Sequence, residues 1–115
     1  QLTDRGEPPV RDQEALWRIV DELVAIGDEH GVSAAQVALA WLLARPGVTS
    51  LVIGARTEEQ LADNLAAADL VLSEDEHARL EAISRPPLLY PYWHQRNTAA
   101  DRLSEADRTL IGRHL

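Results

Sequence analysis

Residues 52–64 read Val-Ile-Gly-Ala-Arg-Thr-Glu-Glu-Gln-Leu-Ala-Asp-Asn and join two predicted elements. The run that leads into them, residues 50–53, is largely apolar and rich in β-branched side chains, which is typical of a buried strand. Gly54 then leaves room for a close backbone approach. Thr57 begins a helix, because Thr57 and Gln60 have the spacing of a capping box. The segment therefore predicts a strand, a tight turn and a helix N-terminus.

A junction of this kind is suited to a phosphate group. The start of a helix offers free N–H groups and the positive end of its dipole. Arg56 adds a guanidinium that can donate two parallel hydrogen bonds. The same pattern also occurs in αβ proteins that bind nothing there, where Thr57 and Gln60 only cap the helix and Asn64 faces solvent. Spacing alone leaves both interpretations open.

The run Gly-Ala-Arg-Thr-x-x-Gln-Leu-x-Asp-Asn, residues 54–64, resembles the last cofactor-binding segment of the aldo-keto reductases. Residues 33–43 upstream and residues 72–76 downstream resemble the same family in order and spacing, so that the resemblance covers roughly residues 14–95. A (β/α)8 TIM barrel needs about 250 residues, and this chain has 115. The resemblance therefore implies a C-terminal fragment of such a barrel. For the fragment it implies a mainly α structure with one β-strand, the last barrel strand, at about residues 49–53.

The resemblance also implies a site for NADPH. Gly54 and Ala55 would offer backbone contacts to the adenosine phosphates. Arg56 would meet the 2′-phosphate, the group that distinguishes NADPH from NADH. The full set of implied cofactor-binding residues is Ile53, Gly54, Ala55, Arg56, Gln60 and Asn64. The last two lie on one helical face and would reach the phosphate-ribose and the adenine edge respectively.

Asp63 has no single interpretation. Its carboxylate could orient Arg56, or it could simply favour the positive helix end. Close to a phosphate it would repel the ligand.

No catalytic residue is expected in this chain. The family resemblance implies a Tyr acid held by Lys, Asp and His from earlier strands, whereas all 11 basic residues here are Arg. The first residue is Gln and there is no Met, so we expect a piece of a longer enzyme. Its partners would be the missing N-terminal barrel portion and a small-molecule carbonyl substrate. The scattered positions of His30, His77 and His94 predict no metal site.

Composition excludes several classes of protein. The net charge of −8 argues against nucleic-acid binding, which needs a basic face. No apolar run approaches the roughly 20 residues that span a membrane. The absence of Cys is compatible with a reducing compartment, and we expect a cytoplasmic location.

Local signals predict four helices within residues 13–85. Asp12 caps the first, whose apolar side chains form one face, and Gly31 ends it. The other three begin at Ser33, Thr57 and Ser73, each with Gln or Glu three residues later. Residues 1–12 read as a loop. The second helix is almost wholly apolar, so Trp41 is expected in the core.

Residues 86–115 read as an irregular tail, with a short helix predicted at 105–113. Its aromatic residues could border a substrate opening or could fasten the tail to the barrel, and we favour the second role. These residues are Tyr90, Tyr92 and Trp93.

Two other functions compete with the reductase interpretation. One is a non-catalytic helical protein-interaction module whose apolar helices pack on a partner. The other is a helix-turn-helix DNA binder at residues 14–44, which the few basic residues there disfavour. In the isolated chain a lone strand would leave its backbone groups unpaired, so we expect the chain to pair with another copy of itself.

Overall fold

The computed structural model describes residues 12–86 together with residues 104–105. Its elements are α1 (Gln13–His30), α2 (Ala34–Leu43), α3 (Glu58–Ala66), a 3-10 turn (Ala67–Asp69) and α4 (Glu74–Ser84). The predicted mainly helical character is confirmed. Two compact units divide the chain, residues 1–84 and residues 85–115, and the fold described below is that of the first. Residues 1–11 of the predicted loop 1–12, the aromatic tail residues and residues 106–113 of the predicted helix 105–113 lie outside the described residues.

All four helices begin at a capping side chain that the sequence predicts. The oxygens of Asp12, Ser33, Thr57 and Ser73 each accept a hydrogen bond from the backbone N–H three residues later. In α4 the box also closes in the reverse direction, because the Ser73 N–H donates to Glu76 Oε2 at 2.8 Å. These bonds satisfy N–H groups that have no partner within the helix.

The end of α1 is a Schellman motif built on two glycines. Gly31 has φ 70°, a left-handed conformation that suits glycine. Its N–H donates to the carbonyl of Asp28 at 3.3 Å, and the Val32 N–H donates to the carbonyl of Gly27 at 2.9 Å. A Cβ at Gly27 would lie only 2.7 Å from the Val32 carbonyl oxygen. Gly27 thus allows the turn to fold back against α1.

The core lies where α1, α2 and α4 meet. Five buried residues form it: Ile26, Val37, Ala40, Leu72 and Leu80. Partly buried side chains, including that of Trp41, pack against these five. The expectation for Trp41 is therefore confirmed. No residue of α3 is buried, so this helix is the least anchored of the four. Among the described residues, no helix has the length and apolar character needed to cross a membrane.

The apolar face predicted for α1 is only partly used. Ile26 and Gly27 are buried, but Leu16, Trp17 and Val24 are exposed. Periodicity identifies which side chains share a face, but not how much of that face a neighbouring element covers.

The predicted strand at 49–53 is not formed within the described residues, where no strand is assigned. Residues 48–55 lie outside any helix or strand, because a β-ladder needs a second strand and this part of the chain supplies none. The burial pattern nevertheless alternates. Leu51 and Ile53 are half-buried, whereas Val52 between them is fully exposed, at 104 % of its reference area. One side of the segment is covered by helices and the other side is bare.

Candidate functional site

The implied cofactor residues come together around the start of α3. Asn64 in the second turn donates from Nδ2 to the carbonyl of Gly54 at 3.2 Å. Gln60 in the first turn accepts from the Arg56 N–H at 2.9 Å. Two helix side chains therefore hold the loop that precedes the helix. Ala55 lies between the two held positions and is exposed.

The Gln60 side chain accepts from a backbone N–H one position before the one that the predicted capping box requires. A reciprocal box would direct it to the N–H of the cap residue Thr57, whereas it accepts from Arg56 instead. The other half of the box is as predicted, since Thr57 Oγ1 accepts from the Gln60 N–H at 3.1 Å. The Gln60 side chain and backbone thus bond to two successive residues, Arg56 and Thr57. This arrangement leaves the first-turn N–H groups of Glu58 and Glu59 without an intrahelical acceptor, as in any helix.

Arg56 is exposed and lies two residues before the first residue of α3. Within the described part of the chain it forms no ion pair. Asp63 does not orient it, because Asp63 Oδ2 accepts a hydrogen bond from Ser33 Oγ at 2.6 Å. The structure thus answers the open question about Asp63: its carboxylate is tied to the start of α2. Sequence reasoning missed this bond, which joins residues 30 positions apart.

An apolar groove of about 220 Å³ lies between the extended segment and the helices α2 and α3. Ile53 and Asn64 both line it, together with Leu39, Leu43 and Leu65. Ile53 and Asn64 therefore face the same groove. Residues 54–56 are themselves exposed, so hydrogen bonds rather than packing hold this loop.

Other polar side chains connect α4 to the rest of the unit. Arg79 donates to Glu22 at 2.6 Å and to Glu29 at 3.5 Å, and the bond with Glu22 is the main factor that raises the pKa of Arg79. Arg45 pairs with Glu81 and lies 4.5 Å from the ring centroid of Trp41. These contacts join one helix to another and stabilise the packing.

His30 pairs with Glu76. Its Nε2 lies 2.7 Å from Glu76 Oε1. In the part of the chain that the structure describes, no group of three or more His, Cys, Asp or Glu side chains is arranged to hold a metal ion. His94 lies outside that part.

Comparison with known proteins identifies the family. The sequence profile described as "Aldo/keto reductase family" matches residues 2–85. The chain is 43% identical over 56 residues to a probable voltage-gated potassium channel subunit beta of Arabidopsis thaliana, covering 49% of this chain and 17% of that protein. It is 40% identical over 82 residues to the norsolorinic acid reductase of Emericella nidulans, covering 70% of this chain and 21% of that protein.

A third relative is the L-glyceraldehyde 3-phosphate reductase of Escherichia coli O157:H7, 37% identical over 78 residues, which cover 67% of this chain and 22% of that protein. The chain spans about a fifth of the length of the curated relatives that it matches. The family profile covers well over half of the chain. The chain therefore belongs to the aldo/keto reductase family.

Proposed function

We propose that residues 53–64 bind the adenosine end of NADPH in an aldo-keto reductase. Such an enzyme is an oxidoreductase that transfers a hydride between the nicotinamide and a carbonyl or alcohol carbon, chemistry that belongs mainly to the cofactor. One observation is the main support for the proposal. An exposed arginine without an ion pair among the described residues lies at a helix N-terminus whose loop is already held in place.

Three features at the start of α3 favour anion binding. The start of α3 offers free N–H groups and a positive dipole end, and Arg56 can grip a phosphate with two parallel bonds. The bonds from Arg56 N–H to Gln60 and from Asn64 to Gly54 hold the loop before any ligand arrives. Binding then requires less ordering of the chain, which strengthens affinity.

Asn64 retains hydrogen-bonding capacity for a nucleotide. One of its two amide hydrogens is used on Gly54, which leaves the second hydrogen and the carbonyl oxygen. An amide that offers one donor and one acceptor can pair with the edge of an adenine ring. This supports the assignment of Asn64 to the adenine and of Arg56 to the 2′-phosphate.

The extended segment has the pattern of a barrel strand, and we assign residues 49–53 to the last strand of a TIM barrel. Alternate residues of such a strand face the surrounding helices and the barrel interior. Leu51 and Ile53 line the groove beside α2 and α3, while the exposed Val52 would face the interior.

The N-terminal barrel portion would supply the neighbouring strands, the catalytic Tyr, Lys, Asp and His, and the site for a small carbonyl substrate. The absence of Cys is compatible with a cytoplasmic location for the enzyme.

The competing proposal is a helical module that binds another protein without catalysis. Trp17 is 62 % exposed and Val71 is 83 % exposed. Large exposed apolar side chains favour a surface that binds another protein. The two proposals differ in one respect that can be measured, because only the reductase interpretation requires a nucleotide site at Arg56.

Calorimetric titration of the chain with two nucleotide fragments tests the reductase proposal. Adenosine 2′,5′-bisphosphate carries the 2′-phosphate, and adenosine 5′-monophosphate lacks it. We expect the bisphosphate to bind about tenfold more tightly, the size of one hydrogen-bonded charge pair. Arg56→Ala should remove this difference, whereas Arg18→Ala, an equal charge change at an exposed position on α1, should preserve it.

Equal affinities of the unchanged chain for the two fragments would remove the 2′-phosphate role from Arg56. Failure of both fragments to bind would remove the nucleotide site and favour the interaction module.

A further inference from the structure

We propose that Ser33 is a positioning residue for the nucleotide site: its hydroxyl ties Asp63 to the start of α2, which fixes α3 and keeps the Asp63 carboxylate off the bound phosphate. This inference rests on the proposed function. It concerns a residue that lies well before the cofactor segment in sequence and on a different helix.

The Ser33 hydroxyl acts both as a donor and as an acceptor. It donates to Asp63 Oδ2 at 2.6 Å and accepts from the Gln36 N–H at 3.1 Å. A short O–H···O distance is typical of a hydroxyl that donates to an ionised carboxylate. Both Ser33 and Asp63 are half-buried, so solvent competes less for this bond than it would at an open surface.

The bond also brings a negative charge to a place that lacks one. The first turn of α2 contains no acidic residue, whereas the first turns of α1, α3 and α4 do. Asp63 comes from α3 and places its carboxylate at the N-cap of α2. There the positive dipole end and the hydroxyl both stabilise it. The Asp63 carboxylate is therefore satisfied without Arg56.

Helix α3 depends on such a link for its placement. It has nine residues, none of them buried, and helices of this length are marginal by themselves. Among the side-chain hydrogen bonds of the described residues, the bond from Ser33 to Asp63 is the one that joins α3 to another helix. Losing it leaves the placement of α3 to Ala67, which is buried in the 3-10 turn that follows the helix, and to exposed side chains such as Leu61 and Leu65.

The placement of α3 determines the geometry of the anion site. Asp63 is next to Asn64, which holds Gly54, and lies one turn after Gln60, which holds Arg56. The Gly54 carbonyl continues the extended segment 49–53, so a shift of α3 away from that segment lengthens the bond from Asn64 and opens the loop. If the Asp63 carboxylate is released, it adds a like charge near the ligand phosphate, which weakens binding.

The test uses four variants of the 115-residue chain. Ser33→Gly removes the donor but keeps most of the N-cap, because glycine costs only a few tenths of a kcal/mol there. Ser33→Thr keeps both the donor and the cap. Ser73→Gly is the matched control, since Ser73 caps α4 in the same manner. The double variant Ser33→Gly/Asp63→Asn removes the released charge as well.

Two measurements are made on each variant: the hydrogen-exchange rate of the Arg56 amide by NMR, and the dissociation constant of adenosine 2′,5′-bisphosphate. We expect Ser33→Gly to raise both by about tenfold, the effect of one hydrogen bond to a charged group. Ser33→Thr should restore both. Ser73→Gly should change neither, because Ser73 caps α4 and forms no bond to α3. The double variant should recover part of the lost affinity but not the slow exchange.

The outcomes separate this inference from the proposed function. If Arg56→Ala weakens the bisphosphate but Ser33→Gly changes neither measurement, the nucleotide site stands and the role of Ser33 is overturned. If Ser33→Gly speeds the exchange while neither it nor Arg56→Ala alters binding, the proposed function fails and the bond is only structural. A tenfold effect of Ser73→Gly on the exchange of the Arg56 amide would also overturn the inference. It would show that the loss of any helix cap speeds this exchange, whether or not the bond from Ser33 to Asp63 is present.

Discussion

His30 Nε2 and Glu76 Oε1 lie 2.7 Å apart and join the last turn of α1 to the first turn of α4. Because an ionised carboxylate can only accept, the proton of this bond belongs to His30. The other oxygen of Glu76 accepts from the Ser73 N–H at 2.8 Å. Burial acts to raise the pKa of Glu76, but the bonds from Ser73 and His30 together lower it below 4.5, its ordinary value. A single buried carboxylate thus caps one helix and holds another.

The lowered pKa of Glu76 predicts a loss of stability in acid. The group contributes stability that is fully present above 4.5, its ordinary pKa, and that disappears as the pH falls through the lower pKa of the folded state. Urea unfolding across this range measures the effect. Glu76→Gln keeps an acceptor for the Ser73 cap and loses the charge, so its unfolding free energy should vary less with pH below 4.5. Glu74→Gln, at an exposed position in the same turn, should keep the steeper dependence of the parent.

Gly27→Ala is predicted to destabilise the fold by about 1–3 kcal/mol, the usual cost of overpacking. The added Cβ would meet the Val32 carbonyl oxygen at 2.7 Å, and a backbone atom cannot move aside as a side chain can. Gly54→Ala is the control for stability, since nothing lies within 4 Å of a Cβ placed there. Thermal unfolding should separate the two variants by several degrees. Equal midpoints would show that the turn after α1 relaxes at little cost.

Features that depend on residues close in sequence could be predicted, and features that depend on packing could not. The caps at Ser33, Thr57 and Ser73 join positions three residues apart, so their spacing is visible in the sequence. The bond from Ser33 to Asp63 spans 30 residues and that from His30 to Glu76 spans 46. Such pairs follow from how the helices pack, which no local pattern specifies.

In the candidate site, too, the features set by residues close in sequence could be predicted and those set by the exact geometry could not. Residues 53–64 come together because the loop and the helix are contiguous, so the sequence predicts their proximity. The capping-box spacing predicts that the Gln60 side chain accepts from the Thr57 N–H, whereas it accepts from the Arg56 N–H, because the exact path of the turn decides the donor. The strand at 49–53 requires hydrogen-bonding neighbours that residues 12–86 do not supply, although the alternating burial of Leu51, Val52 and Ile53 retains the strand period.

Asn64→Asp is predicted to weaken the nucleotide site more than Asn64→Ala does. The Asn64 amide donates to the Gly54 carbonyl; an aspartate of the same shape cannot donate, and it would face that carbonyl with a negative charge. We expect Asn64→Asp to raise the dissociation constant of adenosine 2′,5′-bisphosphate by more than tenfold, and Asn64→Ala by less. Calorimetry measures both values, with circular dichroism to verify that helix content is unchanged. A weaker effect for Asp than for Ala would show that the Gly54 bond does not shape the site.

The 115-residue chain is also predicted to associate with itself through residues 49–53. Val52 is fully exposed, and the extended backbone around it has no ladder partner among the described residues, so the segment resembles an unprotected edge strand. Val52→Lys should reduce concentration-dependent association in sedimentation velocity, because a charge on an edge opposes pairing, and it should leave the unfolding midpoint unchanged. Val71→Lys places the same charge at another exposed valine, in the segment before α4, and should leave association intact. If both lysine variants reduce association equally, net charge rather than strand pairing governs it, since only Val52 lies on the extended segment.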